Sequence, residues 1–220
     1  MVYLRLLRRP ETALTTLGLG IYVAHLVLQY ARAVRPSWDD LVWVLEGWFP
    51  VALALSTAGL VAEEVEGRTF EMLYPKLRSP QAWLVRHMQA AWLVQGVLAL
   101  AGAGALLPFY GTVGPMVLLL PGAISSGLAL SGVALLAATL TRQTAVGYGV
   151  ALIWWLLSLL TSGIPLGWLR LVSLTPTVMS PVPDVFWWCN RIGLLALGLV
   201  LEGLVARWLQ HAETFLQPAG

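Results

Sequence analysis

Six long apolar runs with almost no charge are the feature that constrains this chain most. Each run approaches the roughly 20 residues that a helix needs to cross about 30 Å of hydrocarbon. Of the 220 residues, 58% are hydrophobic and 11% are charged, whereas a soluble domain is about 45 to 50% apolar and about 25% charged. We therefore predict an all-α integral membrane protein, a single transmembrane domain over residues 1–220. The runs are approximately Thr12–Ala31, Leu41–Val61, Met88–Pro108, Met116–Leu140, Thr144–Gly163 and Cys189–Trp208.

The distribution of basic residues predicts how the six spans are oriented. Lys and Arg in short loops are retained on the cytoplasmic side of a membrane. Nine of the 13 basic residues fall on the side that holds both termini, and four fall on the other. We expect a multi-pass protein of the cell (inner or plasma) membrane with both termini in the cytoplasm. The first run is longer than the apolar core of a signal peptide, so we expect it to remain as a span. Residues 1–11, which mix Leu and Arg, predict an interfacial helix.

Charge and cysteine content exclude several kinds of site. A formal charge of +2 is too small to indicate a nucleic-acid partner. The single cysteine, Cys189, permits no internal disulfide and no cysteine cage for a metal. We interpret it as a small core residue and expect no cofactor or metal in this chain.

The cytoplasmic stretch 62–87 concentrates charge, with eight of the 24 charged residues in 26 positions. Within it, Phe70, Leu73 and Leu77 share one face of a helix. Pro80 is suited to the first turn of the helix that follows. The pattern predicts a short amphipathic helix that lies at the membrane surface and docks to a partner.

The outward stretch 164–188 is apolar but contains four prolines, which are incompatible with one straight span. Its backbone polar groups must then be satisfied by partners inside the protein or by interfacial water. We expect a broken segment of short, half-buried helices before the sixth span.

Few ionisable residues fall inside the spans. His25 is the deepest polar group of the first span, and Glu46 lies near the outer end of the second, where a position at the lipid headgroups is the simplest interpretation. These two residues are the candidates for a translocation path. Glu202, near Arg207, is expected at the inner interface. The fourth span is rich in Gly and Ser, which predicts close helix packing, either within the chain or between two copies.

The order of these features resembles the membrane subunits of ABC-2 type transporters, the permease group that includes the haem exporter B proteins. The family typically has an acidic residue, Gly-Thr, an acidic residue and two aliphatics, then a proline and a basic residue. Here Arg68 separates the glycine from the threonine, a departure from that pattern. The residues that carry the resemblance are Glu63, Glu66, Gly67, Arg68, Thr69, Glu71, Met72, Leu73, Pro75 and Arg78, followed by 83–88 at the start of the third span.

The resemblance implies a dimer, of two copies or of this chain with a homologous permease, resting on cytoplasmic ABC ATPase subunits. Those partner subunits would bind ATP and Mg, since this chain has no phosphate-binding loop and its only lysine is Lys76. We therefore expect the chain itself not to be an enzyme. Export of a hydrophobic or amphipathic substrate is the implied function. The implied contact with the ATPase is the coupling helix, with Glu63, Glu66, Gly67, Arg68, Thr69, Phe70, Glu71, Leu73, Tyr74 and Arg78.

Three alternatives stay open at this point. The chain could be a haem-exporter-B-like subunit of cytochrome c maturation, a non-transporting membrane scaffold, or a lipid-modifying enzyme. The enzyme would need Asp, Glu or His residues meeting at one membrane depth. The acidic residues instead collect at 63–71, with no histidine among them.

Overall fold

The computed structural model describes residues 20–28, 38–66, 79–110, 114–161, 171–174 and 184–211. Every regular element in these ranges is helical, which confirms the all-α class. The predicted interfacial helix at 1–11 lies outside them, as does most of the predicted coupling helix. We number the helices in chain order: α1 (residues 20–28), α2 (Trp38–Glu66), α3 (Pro80–Tyr110), α4 (Gly114–Thr141), α5 (Thr144–Thr161) and α6 (Val185–Trp208), which ends in a 3-10 turn, Leu209–His211.

Five of these helices, α2 to α6, are long and apolar enough to cross a membrane. A multi-pass membrane protein is therefore supported. Only nine residues of the predicted first span are described, so the sixth crossing remains a prediction. The apolar stretches are Asp40–Val65, Pro80–Leu106, Leu119–Thr141, Thr144–Thr161 and Val185–Trp208.

The helices extend into the predicted cytoplasmic loop from both sides. α2 continues to Glu66, and α3 begins at Pro80, as its sequence position predicted. Ser79 caps α3, because its Oγ accepts a hydrogen bond from the Ala82 backbone N–H at 3.2 Å. Residues 62–66 and 80–87 of the predicted cytoplasmic stretch 62–87 are therefore helical.

Two helices form the centre of the bundle. The apolar stretch of α2 is 89% buried within the protein and that of α4 is 67% buried, whereas the other three spans are 22% to 39% buried. α4 packs against α2, α5 and α6, and α3 packs against α2 and α6. A helix in this position must be approached closely from several sides, which explains its small residues.

The glycines of α4 mark those close approaches. A Cβ on Gly127 would lie 3.1 Å from Phe49 and 3.2 Å from Leu53 of α2, and one on Gly132 would lie 3.1 Å from the Gly198 carbonyl oxygen of α6. The predicted close packing is confirmed, and these contacts lie within one chain.

The remaining spans present apolar side chains outward. α3, α5 and α6 carry Val97, Ile153 and Ile192 at 60 to 64% exposure. Such a continuous apolar surface is expected where lipid is the solvent. Cys189 belongs to this outer surface of α6, so its interpretation as a core residue is wrong. An apolar lipid-facing helix has no polar stripe to show which of its faces points inward.

Candidate functional site

The centre of the candidate site is an ion pair between α2 and α6. The Glu46 Oε1 and Arg191 Nη2 atoms lie 2.9 Å apart, and the two side chains are 0% and 3% exposed. A charge buried in a membrane-spanning bundle is costly unless it is paired, and such residues commonly mark functional sites. The pairing makes the site close to neutral overall.

An irregular stretch of α2 carries Glu46. Residues Trp43–Trp48 form a π-helix between two α-helical stretches, and Pro50 follows within the helix. A π-helical turn holds one extra residue, so it rotates the side chains before it relative to those after it, and such turns are frequent at functional sites. Here Val44, Leu45 and Glu46 are all buried. A charged residue therefore points into the bundle beside two aliphatic ones.

Glycine in α4 makes room for the pair. A Cβ on Gly122 would collide with the Glu46 carboxylate, and it would lie 3.1 Å from Nη2 of Arg191. Pro121 stands directly before it, inside the helix. The ion pair therefore rests against the bare backbone of α4, at a point where a proline interrupts the hydrogen bonding of that helix.

Arg191 also holds a non-helical part of the backbone. Its Nη1 donates to the Ser126 hydroxyl at 2.8 Å and to the Leu174 carbonyl at 3.3 Å. The same hydroxyl donates to the Leu174 carbonyl at 2.7 Å. Behind the guanidinium lies the Trp187 ring, with its centroid 5.2 Å from Cζ, a favourable cation–π geometry.

Side chains of α5 and α6 complete this attachment. The Leu174 N–H donates to the Ser158 hydroxyl of α5 at 3.3 Å, and the Ser173 carbonyl accepts from Asn190 Nδ2 of α6 at 3.0 Å. Ser173 and Leu174 are both buried. Of the two possibilities predicted for the backbone of segment 164–188, partners inside the protein or interfacial water, the first is found at 173–174. Residues 164–170 and 175–183 lie outside the described residues.

The site therefore joins three interruptions of regular backbone: the π-turn of α2, the proline of α4 and the turn at 171–174, whose second half is buried. We call this arrangement the Glu46–Arg191 junction. Irregular backbone inside a membrane protein occurs where it is enclosed by protein or lines a cavity, and broken helices often surround transport sites. What the junction can do chemically is hold these elements together by charge and hydrogen bonds.

The other predicted site residues lie apart from the junction or outside the described residues. His25 is exposed on α1. Glu63 is half-buried near the end of α2, and Glu66 is the last residue of that helix. Glu202 accepts a hydrogen bond from the Ser131 hydroxyl of α4 at 3.0 Å, a partner that the sequence interpretation did not foresee. The predicted contact residues Gly67, Arg68, Thr69, Phe70, Glu71, Leu73, Tyr74 and Arg78 lie outside the described residues.

Sequence reasoning missed Arg191, and it did not foresee a buried partner for Glu46. The predicted sixth span began at Cys189, which placed Arg191 at its edge, whereas α6 begins at Val185 with Asp184 as its N-cap. The pair could have been predicted from the depth of the two residues in the membrane, that is, from their distance to the start of their spans. Glu46 and Arg191 each lie six residues after the first residue of their stretches, Asp40–Val65 and Val185–Trp208. In the predicted topology both helices begin on the outer side, so the two charges share a depth.

Among the described residues, no group of three or more His, Cys, Asp or Glu side chains could hold a metal ion. No protein-family model, curated protein or solved structure matches the chain.

Proposed function

We propose that the chain is a membrane-spanning permease subunit of an ATP-driven ABC-2 type transporter, working as a dimer with separate cytoplasmic ATPase subunits. The observation that carries this proposal is the stretch 63–78, whose Glu, Gly, Thr, Glu, Pro and basic residues follow the order typical of that family. In this proposal its amphipathic part, with Phe70 and Leu73, is the coupling helix that docks on the ATPase. Both termini face the cytoplasm, and the cargo is hydrophobic or amphipathic.

The position of α2 supports the proposal mechanically. The predicted coupling helix follows its last residue, Glu66, and the Glu46–Arg191 junction lies 20 residues earlier on the same helix. At 1.5 Å per residue, that separation is about 30 Å, the thickness of the hydrocarbon core. One buried helix therefore connects the proposed ATPase contact to the junction on the opposite side.

Packing around α2 suggests how a displacement would be transmitted. Because α2 is enclosed by its neighbours, it cannot shift without moving α4, and through Arg191 it is tied to α6 and the turn at 171–174. In the proposed mechanism, closure of the ATPase subunits pushes the coupling helix, and α2 passes this movement to the outer half of the bundle. Substrate then moves between the two permease copies.

Purification of the tagged chain from native membranes in mild detergent tests the proposal. The expected partner is a stoichiometric ATPase with a phosphate-binding loop, recovered together with ATP hydrolysis. Phe70→Asp combined with Leu73→Asp should remove that partner, because charges replace the apolar anchor of the docking face.

A matched control places the same charges in another predicted cytoplasmic loop. Thr141→Asp with Gln143→Asp alters exposed positions at the α4–α5 turn and should leave ATPase recovery unchanged. Recovery of a clean oligomer without any ATPase would contradict the proposal. So would full recovery with the Phe70 and Leu73 variant, provided that this variant is inserted and elutes like the wild-type chain.

A further inference from the structure

A second feature of the outer half of the bundle is a groove between α4 and α6. Its volume is about 410 Å³, within the range of about 300 to 1,000 Å³ that is usual for ligand pockets. It lies on the lipid side of the Glu46–Arg191 junction, and Arg191 forms part of its wall. The apolar residues that line it are Leu120, Pro121, Ile124, Trp188, Ile192 and Leu195.

The lining of the groove is almost entirely apolar, although it includes one charged and one hydroxyl residue. The reason is that both polar groups bond to other parts of the protein. Arg191 directs its guanidinium to Glu46 and Ser126, and Ser125 donates to the Gly122 carbonyl of its own helix at 3.1 Å. A polar or charged ligand would lose its hydration here and gain little in return.

Length and surroundings define the occupant further. The α6 wall runs from Trp188 to Leu195 and is about 10 Å long at 1.5 Å per residue, a third of the hydrocarbon core. Trp188 is 49% exposed and Ile192 64% exposed, so the groove is continuous with the surface that meets lipid. In the hydrocarbon core, the molecules that contact this surface are the acyl chains of lipids.

We propose that this groove binds one acyl chain of a bilayer glycerophospholipid as a resident ligand that covers the lipid-facing side of the Glu46–Arg191 junction. The lipid adds an apolar layer beside a charge that is already enclosed by protein on its other sides. The inference requires only that α4 and α6 span a membrane, so it stands apart from the proposed coupling to an ATPase.

The test is photolabelling of the purified full chain in dodecyl maltoside micelles that contain a phosphatidylcholine with a diazirine in its acyl chain and no other phospholipid. Labelled positions are mapped by mass spectrometry over a series of probe fractions. We expect label at Ile124 and Ile192 to saturate as the probe fraction rises. Label at Ile153 of α5, which is 60% exposed and outside the groove, should rise in proportion to the probe, as expected for ordinary lipid contact.

Filling the groove distinguishes a bound chain from ordinary contact. Ile124→Trp should lower saturable label at Ile192 about tenfold, because displacing about two methylene groups costs that factor in affinity. Ile192→Trp fills the groove from its other wall and should lower label at Ile124 in the same way. Ile153→Trp is the matched control and should change neither.

Two results would overturn the inference. One is label in the groove that rises without saturation, in parallel with label at Ile153, in the wild-type chain. The other is an absence of label at the groove residues together with disulfide-linked dimers through Cys189 under mild oxidation. Cys189 is exposed on α6 near the groove, so this result would show that a second copy of the chain occupies the groove. Neither outcome depends on whether an ATPase co-purifies.

Discussion

Replacing Arg191 by Met removes the positive charge of the junction and keeps most of the apolar stem. Glu46, which is 0% exposed and 2.9 Å from the guanidinium, is then left as a buried charge with its ion-pair partner removed. Breaking a buried pair in this way costs about 3 to 5 kcal/mol. Glu46→Leu is expected to cost a similar amount, because it leaves the arginine buried without its carboxylate.

The double variant, Glu46→Leu with Arg191→Met, distinguishes the energy of the interaction between the two charges from the separate effect of each substitution. With both charges replaced by apolar groups of similar size, most of the loss should be restored, since a buried ion pair is often no more stable than its apolar substitute. The Leu174 carbonyl still accepts a hydrogen bond from Ser126 in that variant, so the turn at 171–174 keeps one of its attachments. We therefore expect a coupling energy of several kcal/mol, well above the roughly 0.5 kcal/mol within which independent sites add.

Reversible unfolding in mixed micelles by titration with SDS, followed by the fluorescence of the 11 tryptophans, measures these free energies. Glu202→Gln is the matched control, because Glu202 is half-buried and its amide replacement still accepts the hydrogen bond from Ser131. It should change stability by about 1 kcal/mol or less. Losses from the two single variants that simply add in the double variant would refute the reasoning.

Three further predictions use neighbouring positions and the same unfolding assay. Gly122→Ala should destabilise the protein by about 1 to 3 kcal/mol, because the new methyl group overlaps the Glu46 carboxylate; Gly193→Ala, with nothing within 4 Å of its Cβ position, should not destabilise it. Gly198→Ala should likewise cost about 1 to 3 kcal/mol, since its Cβ would lie 2.5 Å from a carbonyl of α4, whereas Gly203→Ala meets open space. Equal effects within either pair would contradict the packing described above. Ser126→Ala should cost about 1 kcal/mol and should raise hydrogen exchange at 171–174 more than elsewhere, because its hydroxyl bonds that turn; uniform exchange would contradict this.

The architecture was largely predictable from the sequence because lipid imposes simple rules. Length and apolarity identified α2 to α6 as apolar helices, although the predicted third span began at Met88 and α3 begins eight residues earlier, at Pro80. The prolines of the outer segment indicated backbone satisfied either by partners within the protein or by interfacial water, and the bonds to Leu174 show protein partners at that position. These features depend on local composition and on the need to satisfy every backbone group in hydrocarbon.

The junction was not predictable to the same degree, because it depends on which helices meet. Glu46 appeared to be a headgroup-level carboxylate. Arg191 lay at the edge of the predicted sixth span, because that span was predicted to begin four residues later than α6 does. The sequence of α6 also has no polar–apolar periodicity that could distinguish its exposed face, which includes Cys189, from its buried face, which includes Trp187. In a chain where both lipid and core are apolar, inward and outward faces differ too little in composition to be read from one sequence.

The most direct test of the proposed function is a photo-cross-link from the predicted coupling helix. A photoreactive amino acid is placed at Phe70, membranes are irradiated, and the protein attached to the chain is identified by mass spectrometry. The same substitution at Ile153, on the lipid-facing side of α5, serves as the control. We expect Phe70 to attach to an ATPase with a phosphate-binding loop and Ile153 not to do so. Attachment of Phe70 only to lipid or to another copy of this chain, in membranes where the protein is assembled, would contradict it.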